Sequence, residues 1–407
     1  MLTVAGLADL YRQDAKPASR WGVGIEIEKM GVDASTGRPI PYDAARASVR
    51  SVLEFLASAR PSVTTHEGPN LIALEGDWGT ITLEPGGQLE WSSHPSPTLT
   101  ALSGRLVKHL ELLDSSGESL GIRWLQTALQ PDTPLSEMPW MPKKRYGIMR
   151  EYLAGRGTLG HRMMTQTTSM QVALDYGDED DWREKFRAAY LIAPVVVAAF
   201  ANSRFLEGND TGFASFRAHI WRNTDNDRCG APAFVFRERF GFEDWVDWLL
   251  DVPAMFVARH GRLYPAQGVP WRKILAEGWN GTPMTLDDWR LHVTEVFPEA
   301  RTKAYVELRS ADLVPNDRLM ALPAFYMGLL YDAGARAEAI ERIGWGPGRR
   351  PTPAGWIEAM ESAARDGLEA RLGGRLLRDV AREVFDLARS ALARREPEAV
   401  TFLDALP

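Results

Sequence analysis

The alternation of Val23, Ile25 and Ile27 with Glu26 and Glu28 is the sequence feature that most constrains how this chain folds. Because successive side chains of a strand point to opposite faces, the pattern predicts a strand with one apolar face and one face that carries both carboxylates. Two carboxylates placed so close together repel each other unless solvent surrounds them or a divalent cation neutralises them. We therefore expect the apolar face to be buried and the acidic face to meet solvent or a cavity.

A second acidic pattern surrounds a Pro-Gly-Gly turn, with Glu84 before the turn and Gln88 and Glu90 on one face of the strand after it. The two glycines permit a close approach of the backbone to a ligand. In a third predicted strand, Glu307 and Arg309 share a face. Acidic residues at alternate positions of three strands are interpreted as a magnesium site across a sheet, which favours nucleotide-dependent chemistry. By itself, the first pattern is also compatible with a solvated edge strand, the second with an ordinary turn, and the third with ion pairs across the sheet.

Residues 165–176 are predicted to form a strand with one face of small and polar side chains. That face consists of Thr165, Thr167, Ser169, Gln171 and Ala173. Because a strand of a large domain normally buries its apolar face, we expect the polar face to line water or a pocket. Gln171 offers a neutral oxygen ligand for magnesium or a contact to a nucleotide. A purely structural strand is the alternative.

Two arginines are candidates for binding an anionic substrate. Arg217 lies in a Gly-rich region that interleaves polar and aromatic residues and ends at Trp221, and Arg309 lies two residues after Glu307. A guanidinium holds a carboxylate or phosphate through two parallel hydrogen bonds. Glu307 and Arg309 could instead merely pair with neighbours across the sheet.

Charge, cysteine content and missing motifs narrow the class of protein. The formal net charge of -7 disfavours nucleic-acid binding, and the single cysteine, Cys229, excludes an intramolecular disulfide. A Gly-x-x-x-x-Gly-Lys-Ser/Thr phosphate loop, a zinc spacing of histidines and a Gly-x-Ser-x-Gly elbow are missing. No signal peptide is recognised, and the most apolar run, residues 188–201, is too short to span a bilayer. We expect a cytoplasmic protein that acts on small molecules and binds neither nucleic acid nor a membrane.

The order of predicted elements favours an α+β fold with antiparallel strands over a doubly wound parallel sheet. No linker divides the chain. We therefore expect one domain over residues 1–407, with a core over about residues 21–315 and a helical C-terminal part, residues 316–407, packed on it.

Seven segments, in this order, resemble the plant-type glutamate–cysteine ligases, a family that also occurs in many bacteria. The segments are residues 24–29, 83–90, 164–175, 200–203, 215–221, 225–228 and 305–312. The resemblance implies the catalytic fold of glutamine synthetase, in which an antiparallel sheet flanked by helices forms a funnel lined with carboxylates. One departure is that plant enzymes of this kind use cysteine pairs for redox control, which Cys229 alone cannot provide.

The resemblance also implies the reaction and the ligands. The implied enzyme uses ATP and Mg²⁺ to join the γ-carboxylate of L-glutamate to the amine of L-cysteine through γ-glutamyl phosphate, as the first step towards glutathione or a related thiol. The alternative is a ligase of the same fold with a different amine acceptor. The implied magnesium ligands are Glu26, Glu28, Glu84, Glu90, Gln171 and Glu307; the catalytic residues are Arg217 and Arg309; the substrate-binding residues are Arg217, Trp221, Thr165 and Ser169; and the nucleotide-binding residues are Lys29 and Gln88. A monomer or homodimer is expected.

Overall fold

The computed structural model describes residues 2–346 and 348–404. Its strands are β1 Val23–Asp33, β2 Val63–Glu67, β3 Asn70–Gly76, β4 Gly79–Leu83, β5 Gln88–Ser92, β6 Ile122–Trp124, β7 Met170–Leu174, β8 Phe205–Leu206, β9 Asn209–Asp210, β10 Cys229–Gly230, β11 Phe256–Arg259, β12 Arg262–Pro265, β13 Phe297–Pro298, β14 Ala300–Thr302, β15 Val306–Leu308, β16 Arg371–Leu372 and β17 Arg375–Leu376. The helices are α1 Val4–Gln13, α2 Val49–Ala59, α3 Leu99–Leu120, α4 Lys144–Ala154, α5 Gly160–Gln166, α6 Glu179–Ala199, α7 Phe216–Arg222, α8 Phe242–Asp251, α9 Trp271–Glu277, α10 Leu286–Val293, α11 Ala321–Leu330, α12 Ala333–Ile343, α13 Pro353–Asp366 and α14 Leu377–Arg395.

One antiparallel sheet organises the fold. Its strands follow the order β14-β15-β7-β1-β5-β4-β3-β2, and β6 pairs with the far end of β1. The alternation predicted for β1 is present, since Ile25 and Ile27 are buried while Glu26 and Glu28 lie on the other face. The strand register continues both faces across the sheet, because Glu28 lies opposite Glu90 and Glu26 lies opposite Gln171. The sheet therefore has one apolar face and one polar face.

Helices cover the apolar face of the sheet. Helices α3 and α11 pack against β1, α6 packs against β14 and β15, and α2 packs against β3. Local sequence fixes where these helices begin. The hydroxyl of Thr98 accepts a hydrogen bond from Ala101 N at the start of α3, and the Asp178 carboxylate caps α6 in the same way. The predicted α+β class with antiparallel strands is confirmed.

The predicted strand over residues 165–176 is wrong in its first half. Thr165 lies in the last turn of α5, and its hydroxyl donates a hydrogen bond to His161 O. Strand β7 begins only at Met170. Threonine is abundant in strands because of its branched Cβ, but here its hydroxyl bonds back to the preceding helical turn.

The C-terminal helices pack on the core, as the single-domain prediction requires. All ten residues of α11 are buried, and the Tyr331 hydroxyl that follows it accepts a hydrogen bond from Asp175 N at the end of β7. Among the described residues, none of the helices combines the length and apolarity that a membrane crossing needs. A single cooperative domain remains a prediction, which the Discussion takes up.

Candidate active site

A cavity of about 200 Å³ lies between the polar face of the sheet and helices α4, α5 and α7. Its wall contains the side chains that the strand register brings together and several that come from the helices. The lining residues are Glu26, Glu28, Glu84, Pro85, Gln88, Glu90, Arg145, Tyr146, Met149, Met163, Met164, Thr167, Ser169, Gln171, Arg217, Trp221, Thr294, Phe297, Arg301, Lys303 and Arg309.

The acidic part of the cavity is formed by β1 and β5. Burial, together with the charges of Glu90 and Glu307, raises the pKa of Glu26 to about 8. Burial, together with Glu90 and Glu84, raises the pKa of Glu28 to about 8, and the pKa of Glu90 is raised to about 7 by burial and by Glu84. These carboxylates hold protons near neutral pH in the absence of a counter-charge. A cation bound among them would offset both the burial of their negative charges and their mutual repulsion.

The turn that carries Glu84 is fixed by the amide of Gln88. The amide oxygen of Gln88 accepts a hydrogen bond from Gly86 N at 2.8 Å, and its nitrogen donates to Met164 O and Thr167 O at 3.2 and 2.8 Å. A Cβ on Gly86 would lie 2.2 Å from Thr165 O. The backbone at Gly86 therefore approaches α5 closely, where the sequence predicted a close approach to a ligand, and the hydrogen bonds of the Gln88 amide hold the turn.

Three cations surround Glu307, which lies on the same polar face of the sheet, on strand β15. One carboxylate oxygen accepts from Arg301 Nε at 2.7 Å and from Arg309 at 2.9 Å, and the other accepts from Lys303 Nζ at 2.6 Å. Burial alone would raise the pKa of Glu307, yet the charges of Arg301, Lys303 and Arg309 hold it well below its usual range. Arg309 also donates to Gln171 Oε1. Glu307 is not part of the cavity wall, and one of these contacts must give way before it can bind a metal.

Arg217 and Trp221 enter the cavity from one face of α7, four residues apart. The Ser203 hydroxyl accepts a hydrogen bond from Arg217 N, and the Ser215 hydroxyl caps the helix. Both hydroxyls donate to the buried carboxylate of Asp312, at 2.6 and 2.9 Å. The start of this helix is therefore held by a network of hydrogen bonds.

Three buried N–H donors at the cavity have no hydrogen-bond acceptor among the described residues. They are Arg145 Nε, Arg217 Nε and Trp221 Nε1. Buried donors are rarely left without a partner, because each lost hydrogen bond to water costs about 1–3 kcal/mol. This part of the cavity therefore suits a ligand rich in acceptor oxygens, such as a carboxylate or a phosphate.

Two of the predicted site residues lie away from the cavity. Lys29 is one position beyond Glu28 and so faces the other side of β1, where its ammonium donates to Asn316 Oδ1 at 2.6 Å. Burial lowers the pKa of Lys29 to about 8. Thr165 faces the backbone of α5 and is fully buried. The structure brings the other predicted residues to the cavity wall, with Glu307 directly behind it.

Sequence reasoning missed three cationic side chains of the site. Arg145 lies on α4, whose sequence has no conspicuous pattern, while Arg301 and Lys303 lie in and after β14, which has only three residues. Arg301 lies opposite Glu307 in the pairing of β14 with β15, but this pairing cannot be recognised from the local sequence. Only the clusters of basic residues in Lys143-Lys144-Arg145 and Arg301-Thr302-Lys303 could have drawn attention to them.

The antiparallel sheet, with its acidic centre and the cations beside it, has the glutamine-synthetase-like fold. The fold is similar to that of a glutamate–cysteine ligase from Francisella tularensis solved in complex with AMP, with a TM-score of 0.56, 13% identity, and coverage of 95% of this chain and 80% of that chain. Similarity at this level of identity shows the fold.

Sequence comparison gives the family. The model of Glutamate-cysteine ligase family 2 (GCS2) matches residues 22–403. The chain is 38% identical over 411 residues to a chloroplastic glutamate–cysteine ligase of Brassica juncea, covering 100% of this chain and 78% of the relative. It is 39% identical over 415 residues to chloroplastic glutamate–cysteine ligase B of Oryza sativa subsp. japonica, covering 99% of this chain and 80% of the relative. The chain belongs to the glutamate–cysteine ligase family.

These matches confirm the predicted enzyme class and activity, the ligation of glutamate to cysteine that begins glutathione biosynthesis. They contradict the prediction of a cytoplasmic location. The relatives from Brassica juncea and Oryza sativa are chloroplastic enzymes by name.

Proposed function

We propose that this cavity binds glutamate and ATP, transfers the γ-phosphoryl group to the γ-carboxylate of glutamate, and passes the resulting acyl group to the amine of cysteine. The observation that carries the proposal is the meeting, in one cavity, of four carboxylates with three buried N–H donors that have no acceptor among the described residues. The acidic part suits cations that accompany a triphosphate. The donors suit the carboxylates of an amino acid and the oxygens of the transferred group.

Mg²⁺ fits the acidic part by the chemistry of its donors. The carboxylates of Glu26, Glu28 and Glu90 have raised pKa values because burial and mutual repulsion disfavour their charge, and a divalent cation offsets both. No three acidic or imidazole groups in residues 2–346 and 348–404 converge on one point. Each Mg²⁺ ion would therefore take one or two of these carboxylates and complete its shell with water and phosphate, so that several ions would share the ligand set.

The residues that would hold Mg²⁺ in this proposal are Glu26, Glu28, Glu84, Glu90 and Gln171, with Glu307 joining them after one of its ion pairs gives way. Mg²⁺ held by these residues would neutralise the charge of the triphosphate.

In this mechanism the arginines bind the anionic groups of the substrates. Arg217 holds glutamate, and Arg145 and Trp221 donate hydrogen bonds to its carboxylates. Arg309 lies beside the γ-carboxylate, where it stabilises the transferred phosphoryl group. The γ-carboxylate oxygen attacks the γ-phosphorus of ATP and ADP leaves. The cysteine nitrogen then attacks the acyl carbon, the amide bond forms, and phosphate departs. The chain needs no covalent nucleophile, in keeping with Cys229, whose burial raises the pKa of its thiol to about 12.

The test is ADP release from ATP and Mg²⁺ with glutamate, with and without cysteine, together with mass detection of the product. We expect cysteine-dependent ADP release and γ-glutamylcysteine. ADP release with glutamate but without the dipeptide would contradict cysteine as the acceptor and favour another amine. No ADP release under any combination would contradict the activation step. The monomer or homodimer stays a prediction.

A further inference from the structure

A small side pocket adjoins the cavity behind Arg217 and Arg309. Trp221 and Phe297 border both spaces, and Glu299 and Ser310 close the side pocket from behind. Its volume is about 10 Å³, room for a single group the size of a water molecule. An ammonium or amine nitrogen has that size, whereas a carboxylate or a phosphate is too large.

Glu299 is placed beside Arg309 by the sheet. The backbone N–H of Arg309 donates to Glu299 O at 3.0 Å, next to the Ala300–Leu308 pair of β14 and β15. Residues paired in this way present their side chains on the same face, about 5 Å apart at Cβ. Within the described part of the chain, the carboxylate of this partly buried residue makes no hydrogen bond and no ion pair within 4 Å. Its charge nevertheless acts on Arg217.

We infer that the side pocket receives the amine of the acceptor amino acid and that Glu299 accepts its proton before attack. The inference rests on the proposed function, which leaves the proton acceptor unnamed. An amine arrives mostly as an ammonium ion and must lose a proton to become a nucleophile. Two guanidinium groups nearby disfavour the ammonium form, and the Glu299 carboxylate, which makes no hydrogen bond or close ion pair within the described residues, is placed to take the proton.

The proton and electron balance is complete within this arrangement. One proton moves from the ammonium nitrogen to the Glu299 carboxylate. The freed lone pair of the nitrogen forms the C–N bond at the acyl carbon. The bond between the acyl carbon and the bridging phosphate oxygen breaks, and its electron pair stays on the departing phosphate. The second proton of the nitrogen leaves with that phosphate, and Glu299 returns its proton to solvent.

The test compares Glu299→Gln with wild type using two acceptors. Cysteine requires deprotonation, whereas hydroxylamine is already neutral at pH 7 and yields γ-glutamyl hydroxamate. In Glu299→Gln we expect kcat with cysteine to fall about 100-fold or more, in the range of general base catalysis, and kcat with hydroxylamine to stay near wild type. The residual cysteine activity should rise with pH, as the free amine becomes more abundant. Turnover with hydroxylamine also shows that the variant is folded.

The matched control is Glu111→Gln, which removes an exposed carboxylate of α3 and should leave both activities unchanged. Equal losses with cysteine and hydroxylamine in Glu299→Gln would overturn the inference and make Glu299 a counter-charge for the two arginines. An unchanged kcat with cysteine would also overturn it. In either case, ADP release by wild type would leave the proposed function standing, whereas its absence would remove both.

Discussion

The raised pKa values of the cavity carboxylates have a consequence for stability. Glu28 has a pKa of about 8 in the folded chain, above the ordinary value of 4.5. Between these values the folded state binds the proton more tightly than the unfolded state, so the free energy of unfolding falls as the pH rises towards 8. The carboxylate therefore destabilises the metal-free protein most at alkaline pH.

Glu28→Gln should remove this penalty while abolishing ADP release, since the charge serves the metal and the amide keeps the shape. In EDTA, the variant should have a higher Tm than wild type, and the difference should grow between pH 6 and pH 8.5. Thermal unfolding followed by circular dichroism at both pH values measures it, with Glu111→Gln as the control for loss of an exposed charge. An equal Tm difference at both pH values would contradict the buried, proton-holding carboxylate.

Individual residues also show how far strand alternation carries a prediction. Strand alternation placed Glu26 and Glu28 on one face correctly, because the two-residue period of side-chain direction is a local property of a strand. The same rule places Lys29 on the opposite face, so a nucleotide-binding role for Lys29 conflicted with the pattern that located the site. Thr165 failed for another reason, since its hydroxyl bonds back to His161 O in the last turn of α5. The Gln88 side chain from a distant strand also donates to Met164 O and Thr167 O at this end of the helix.

At the scale of elements, helix α7 holds its functional side chains through a carboxylate that lies outside the cavity. Asp312 is 1% exposed and accepts hydrogen bonds from Ser203, Ser215 and the backbone N–H of Asn202. These serines fix the first turn of the helix that carries Arg217. Asp312 is therefore a positioning residue for glutamate binding.

Asp312→Asn should raise the KM for glutamate more than it lowers kcat, because the loosened helix misplaces Arg217. It should also lower the free energy of unfolding by about 1–3 kcal/mol, the cost of disturbing buried hydrogen bonds to a charged group. Glutamate saturation curves and urea unfolding measure the two effects. The control is Asp317→Asn, an exposed carboxylate nearby. A loss of stability with an unchanged glutamate KM would reduce Asp312 to a purely structural role.

Element pairing also explains what the sequence could not reveal about the site. The acidic strands can be recognised in the sequence because apolar and acidic residues alternate in them. Strands β14 and β15 have three residues each, which is too few for a periodic signal. The cations Arg301 and Lys303 acquire their place only through pairing with Glu307, and Arg145 through the packing of α4 over the sheet. The acidic half of the site was therefore predictable, and much of its cationic half was not.

At the scale of the whole molecule, hydrogen bonds connect the C-terminal helical part to the rest of the fold near its beginning and near its end. Near the beginning, the Tyr331 hydroxyl bridges Gly22 O and Asp175 N beside β1 and β7. Near the end, the buried carboxylate of Glu396 accepts hydrogen bonds from Leu99 N and Thr100 N, the first two N–H groups of α3. Since α3 packs on β1, these contacts connect residues 316–404 to the strand that carries the acidic pair.

We therefore expect the chain to unfold in one cooperative step. Glu396→Gln weakens a charged cap of α3 and should lower the free energy of unfolding by about 1–3 kcal/mol. Far-ultraviolet circular dichroism, tryptophan fluorescence and residual ADP release should shift together to the same lower midpoint. Glu398→Gln, an exposed neighbour, should leave that midpoint unchanged. Two separate transitions, with only one displaced by Glu396→Gln, would instead divide the chain into an independent core and an independent helical unit.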